Sequence, residues 1–248
     1  MTVKIGTAGW TIPTAAAAAF PVTGSHLERF SGRLNAAEIN SSFYRPHRGS
    51  TYARWASSVP TDFRFSVKLP RAISHEPTWA SDPAQLTRFA DEIAALGEKL
   101  GCVLVQLPPK RVFERAAAAH FLTAVRQATN CPLVCEPRHA SWFTAIADAF
   151  LASAEVARVA ADPAIVPGAG LPGGWTGMTY RRFHGSPRMY YSSYDDATFT
   201  RLAGDLQDEA DRAADIWCIF DNTASGAAVE NALRLSDLTR NDAQRPLA

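Results

Sequence analysis

Short apolar runs recur along the chain, and nearly every one ends in a polar or charged residue. Residues 3–5 lead into Gly6-Thr7-Ala8-Gly9-Trp10, and 34–39 carry Glu38 and lead into Asn40-Ser41-Ser42-Phe43-Tyr44. In 63–69, Phe63, Phe65, Val67 and Leu69 alternate with Arg64, Ser66 and Lys68, the period of a strand with two different faces. Runs 102–107, 132–135, 156–160, 178–183 and 217–220 end at Gln106, Glu136-Pro137-Arg138, Asp162, His184 and Asp221.

Helical patterning falls between most of these runs. Helices are predicted near 26–30, 51–57, 114–127, 142–151, 198–212 and 227–235. Another starts at Asp82-Pro83, a capping residue followed by proline at the first helical position. Leu86, Phe89, Ile93 and Leu96 keep its 3.6-residue period, and Gly101 is expected to end it. Residues 163–177 are rich in Gly and Pro without periodicity and read as a long loop, a length at which functional lids are common.

Eight strands in 248 residues leave 31 residues per strand–helix unit, which predicts a parallel α/β sheet closed as a TIM-barrel-like (β/α)8 barrel. The rival is a doubly wound open sheet, but Gly6-Thr7-Ala8-Gly9 lacks the glycine spacing of a dinucleotide fingerprint. One domain is expected over 1–240, with a frayed C-terminal tail at 241–248. In such a barrel, charges at successive strand ends converge on one mouth.

Composition narrows the partners. Twenty-five basic and 24 acidic residues leave a net charge of +1, so no global field favours nucleic acid or an anionic membrane. The four cysteines, Cys102, Cys131, Cys135 and Cys218, show no CxxC spacing and read as free thiols in a reducing compartment. The run 15–20 is too short and too poorly flanked for a signal peptide, and no stretch of 18 apolar residues occurs, so a cytoplasmic protein with no membrane partner is expected.

Glu38, Lys68, Glu136 and His184 are the catalytic candidates. The two glutamates suit general acid and base work if their surroundings separate their pKa values; equally, each could form an interior ion pair. A buried Lys68 could be a base, a Schiff-base amine or a phosphate clamp, or the counter-ion of Glu38. Glu136 with Arg138, and Arg182 with His184, sit two residues apart on one strand face.

The segments Gly6–Trp10, Glu38–Tyr44, Phe65–Pro70, Gln106–Pro109, Glu136–Arg138 with Ser141-Trp142, Arg182–Gly185 and Asp221–Thr223 with Asn231-Ala232 resemble, in order, the YecE-like family, the domain of unknown function numbered 72. That resemblance implies a TIM-barrel-like fold and no established activity.

Thr7, Asn40, Tyr44, Arg71, His75, Gln106, Arg138, Trp142, Arg182, Asp221 and Asn222 are the candidate ligand contacts. Arg138, Arg182 and Lys68 are expected to hold an anion, and Asn222 to orient it. The small residues of 221–226 would leave N–H groups free for a phosphate at a helix start, or merely cap that helix. Of Trp10, Phe43, Tyr44, Trp142 and Trp175, two or three in one pocket would favour a ring-bearing ligand. No cofactor fingerprint appears and no metal ligand is assigned, although the carboxylates leave a magnesium or manganese site open.

The expected function is hydrolysis or isomerisation of an anionic small molecule, phosphorylated or nucleotide-like. The alternatives are a non-catalytic nucleic-acid-binding protein, and a glycosidase-like hydrolase. The latter requires Glu38 and Glu136 to face each other across an open cleft roughly 5 to 10 Å wide.

Overall fold

In the computed structural model, residues 3–77, 79, 82–210, 213 and 215–243 are described. Strands β1 (Lys4–Ala8), β2 (Ala36–Ile39), β3 (Arg64–Lys68), β4 (Leu100–Gln106), β5 (Leu133–Glu136), β6 (Val156–Arg158), β7 (Ala160–Asp162), β8 (Gly173–Gly174), β9 (Met178–Phe183) and β10 (Asp215–Phe220) share one sheet. Their order is β7-β9-β10-β1-β2-β3-β4-β5-β6-β8. Every pairing is parallel except that of β8 with β6. The predicted sixth strand is thus two short pieces about Val159: β6 pairs with β5 while β7 pairs with β9. The chain itself therefore closes the ring, and the fold is a TIM-barrel-like α/β barrel.

The surrounding helices are α1 (His26–Ser31), α2 (Gly49–Ser57), α3 (Arg71–Ser74), α4 (Pro83–Ala94), α5 (Arg115–Thr129), α6 (Ala145–Ser153), α7 (Asp196–Ala210) and α8 (Ala227–Ala243). Asp82 caps α4 as its sequence predicts, its Oδ1 accepting from Ala84 N at 2.9 Å. Gly101 does not end that helix. It lies inside β4, where a Cβ would collide with the Trp217 ring, so the glycine makes room for an indole in the barrel interior.

No helix joins β7 to β9 among the described residues. The first part of the 163–177 loop instead lies against the outer wall, where Arg158, paired with Asp148 of α6, also donates to the carbonyls of Gly168 and Leu171, before Gly173–Gly174 joins the sheet as β8 and Trp175 packs on the interior cluster. Its expected role as a lid is corrected accordingly: Arg158 holds it to the barrel's side. The predicted tail is corrected in part, because α8 continues through Ala243; 244–248 lie outside the described residues. All four cysteines are free, and no helix among the described residues is long and apolar enough to cross a membrane.

Two apolar layers set the height of the site. One packs the outward strand faces against the helices. The other plugs the lower interior with Ala36, Cys102, Leu104, Val134, Ala157, Met178, Tyr180, Trp217 and Ile219. Side chains alternate along a strand, so the residues two steps further on several of these strands stand in the same interior, above the plug. They are Glu38, Gln106, Glu136, Arg182 and Asp221, the polar and charged residues of the strand ends.

Candidate functional site at the barrel mouth

Arg182 is the centre of the upper interior and is fully buried. It donates to Glu38 through Nε (2.9 Å to Oε2) and Nη2 (2.6 Å to Oε1), to Glu136 Oε2 through Nη1 (2.6 Å), and to Asp221 Oδ2 at 3.1 Å. Tyr180 completes the lower side, its hydroxyl 3.0 Å from Glu38 Oε2 and 2.7 Å from Ser66 Oγ. Burial, then the Glu38 charge, push the Tyr180 phenol well up, so it is the donor to Glu38.

Burial by itself would raise the Glu136 carboxyl. Arg182, Arg138 and His184 outweigh burial and hold it well below the usual carboxylate range. For Asp221, burial is likewise overcome by Arg182 and by the hydrogen bond with His184, and the carboxyl is lowered. His184 spans the two acids, Nδ1 lying 3.0 Å from Asp221 Oδ2 and Nε2 lying 2.9 Å from Glu136 Oε1. Arg138 Nη2 reaches both Glu136 Oε1 (2.5 Å) and His184 Nε2 (2.8 Å), while its Nε is buried without a partner.

Lys68 is different. It is 5% exposed, yet among the described residues no carboxylate lies within 4.0 Å of its Nζ; the contact it makes is with the face of Phe43, 4.3 Å from the ring centroid. Local sequence explains that ring. The Ser42 hydroxyl lies between the carbonyls of Ile39 (2.8 Å) and Lys68 (2.6 Å) and shares its one proton between them, which pins the short helical turn Ser41–Phe43 onto the end of β3. Burial, then repulsion from Arg182, lower the Lys68 pKa, and the attraction of Glu38, Glu136 and Asp221 only partly offsets them.

Two open clefts adjoin this layer at the ends of β2, β3 and β4. One, of about 620 Å³, is lined by Phe43, Tyr44, Pro70, Arg71 and His75; the other, of about 760 Å³, by Arg71, His75, Trp79, Lys110 and Arg111. No residue of the arginine–carboxylate cluster, nor Lys68 or Arg138, is among those that line them. His75 belongs to both clefts, and burial, then Arg71, Lys68 and Arg111, push its imidazole down to about 4.

Several expected roles change. Glu38 and Glu136 do not face each other across a cleft: both are fully buried and locked to Arg182, so the glycosidase-like arrangement is ruled out by geometry. Arg182 holds carboxylates of its own chain and is sealed from any ligand, and it, not Lys68, is the counter-ion of Glu38. Trp142 is a core residue, its indole donating to Arg111 O at 2.8 Å. Thr7 ties its own turn by donating to Gly9 O at 2.6 Å.

Asn222 donates to Ser192 O and Asn231 Oδ1, both at 2.8 Å, and so braces the loop after β9, while its own Oδ1 is buried without a partner. That loop also occupies the supposed phosphate cradle: Ala224 N donates to Tyr190 O and Ser225 Oγ to Tyr191 O. Asn40 keeps a buried, unpartnered Oδ1, and Gln106 is half-buried in register with Glu136. Of the five loop aromatics, Phe43 and Tyr44 line a mouth cleft; Trp10 packs on Trp55 and Phe65, and Trp175 on the lower interior.

The interior acids do not fit a divalent ion, because the Arg182 guanidinium fills the space between them. Among the described residues, no group of three His, Cys, Asp or Glu side chains is disposed to bind a metal. Tyr180, Lys110 and Arg111 belong to the site and were not among the expected residues. Tyr180 carried a signal, standing two residues before Arg182 and hence on the same face; Arg111 had only its place after Pro108-Pro109-Lys110.

A closed parallel barrel with a charged C-terminal mouth defines the class as a TIM-barrel-like α/β protein. The chain belongs to the DUF72 family, described as "Protein of unknown function DUF72", whose model matches residues 4–248. It is 29% identical over 121 residues to the UPF0759 protein YecE of Escherichia coli, a match covering 47% of this chain and 43% of that protein, so less than half of YecE is aligned. It is 22% identical over 254 residues to UPF0759 protein YunF of Bacillus subtilis, 88% of each. A DUF72 protein of Enterococcus faecalis, known from a crystal structure, shares the fold with a TM-score of 0.82 at 21% identity over 96% of each chain.

Proposed function

We propose that this chain is an enzyme that binds an anionic small molecule at the barrel mouth, with Lys68 as the residue that meets it. The observation that carries this is the state of Lys68: a side chain 5% exposed whose ammonium rests on the Phe43 ring without a carboxylate partner among the described residues, while Glu38, Glu136 and Asp221 are engaged by Arg182. An unpaired charge in such a place is expensive unless a counter-ion arrives. Arg138, with its free Nε, supplies a second donor on the β5 side.

These roles favour a different division of labour from a pair of glutamate acids. Glu136 is strongly ionised and therefore a weak base; it anchors Arg138 and His184. Lys68, whose amine is easier to deprotonate than an exposed lysine, is the better proton carrier, and proton transfer next to a bound anion suits hydrolysis or isomerisation.

The test is calorimetric titration of wild type and Lys68→Met with inorganic phosphate and methylphosphonate, followed by turnover screening of phosphorylated and carboxylated metabolites. Binding that weakens with salt and disappears in Lys68→Met is expected. Equal binding by the two proteins, or none by either, contradicts the proposal.

A further inference from the structure

We infer that the ligand carries two anionic groups, the second held by Arg71 and Lys110 in the cleft between the ends of β3 and β4. This rests on the Lys68 reading above and extends it to the class of substrate.

The cleft measures about 760 Å³, within the range of small-molecule sites. Its rear charge is Arg111, 7% exposed and stacked 4.3 Å over Trp79, with its guanidinium spent on the backbone carbonyls of Glu76 and Pro77. Among the described residues no carboxylate lies within 4.0 Å of Arg111 to neutralise it. Arg71 and Lys110, both exposed, form the front, and Glu114 is the acid in the lining. Burial, then the charges of Arg71, Lys68 and Arg111, hold the His75 imidazole low, consistent with a cationic cleft.

The two cationic centres share a wall. Phe43, on whose face Lys68 rests at 4.3 Å, lines the neighbouring cleft and meets the His75 ring at 5.1 Å, and Arg71 and His75 line both clefts, which links the two cationic centres. A short spacer between the two anionic groups would span them. Arg111, fixed by backbone carbonyls and by Trp79, provides potential without moving, while the flexible Arg71 and Lys110 make the contacts.

A series of alkane bisphosphonates with one to six methylenes between the phosphonates, titrated against methylphosphonate, tests this. One spacer length is expected to bind about tenfold more tightly than methylphosphonate, because the second contact becomes intramolecular. The double variant Arg71→Met/Lys110→Met, altered only at exposed positions, should lose that gain and bind methylphosphonate as wild type does. Lys68→Met should lose both. Normal methylphosphonate binding with no bisphosphonate preference, or a preference that survives the double variant, overturns the second subsite and leaves the Lys68 site standing. Failure of methylphosphonate to bind wild type overturns the underlying reading and this one with it.

Discussion

Arg182 grips Glu38 with two parallel hydrogen bonds, Nε to Oε2 at 2.9 Å and Nη2 to Oε1 at 2.6 Å, deep in the barrel and out of contact with solvent. The same guanidinium reaches Glu136 and Asp221, so one cation serves acids from three strand ends. The strand ends are thereby fixed relative to one another, and the open mouth above them is shaped by that fixation.

Removing Arg182 leaves three buried carboxylates short of their shared partner. Arg182→Met should destabilise the fold by about 3 to 5 kcal/mol, the usual consequence of breaking a buried pair from one side. Urea unfolding measures it. A loss under about 1 kcal/mol would mean the acids have other partners in solution.

Acid sensitivity follows from the same cluster. Glu136 and Asp221 have folded pKa values below their ordinary values of 4.5 and 3.8, so the stability they confer is complete above those values and is lost as pH falls through the folded ones. Stability measured from pH 6 downward should decline gently at first, because His75, held to about 4, does not take up the proton that the unfolded chain binds near 6.5, and more steeply below about pH 4.5 as the carboxylates titrate. In Glu136→Gln the decline should be shallower. An unchanged slope in that variant would remove Glu136 from the acid response.

Lys68 has the opposite sense. Its folded pKa lies below 10.5, so its ammonium disfavours folding at neutral pH, and that penalty fades as pH rises through the folded pKa toward 10.5. Lys68→Met should therefore raise stability at pH 7, by roughly 1 kcal/mol as is common when a functional site gives up strain. A marked fall in the thermal midpoint would show that Lys68 is a structural cation.

Tyr190 sits at φ +68°, donates from its N–H to His184 O, and packs its ring edge-on 5.9 Å from His184. A tyrosine there bears backbone strain that glycine does not. Comparing Tyr190→Gly with Tyr190→Ala isolates the backbone contribution, since both lose the ring. The glycine variant should be more stable by about 1 kcal/mol. Equal midpoints would mean that the loop relaxes to another conformation.

Much of the fold was legible because strand alternation and helix period are local signals. Phe63–Leu69 placed Lys68 inside the barrel, and Asp82-Pro83 marked the start of α4. The split at Val159 was not legible: it depends on which neighbours, β5 or β9, each half meets. At the site, the positions of Glu38, Glu136, His184 and Asp221 followed from strand ends, but their roles did not. Periodicity says which face Arg182 occupies and nothing about whether its guanidinium points at a ligand or at three carboxylates. Trp142 misled for a related reason, since a loop residue serves the core as readily as a ligand.

The account turns on Lys68 being a buried cation awaiting an anion, and the most direct measurement is NMR titration of its side-chain amine with and without phosphate. The predicted result is a midpoint below 10.5 in the free protein that moves upward when phosphate is added. A midpoint at the ordinary lysine value, unmoved by phosphate, would contradict it.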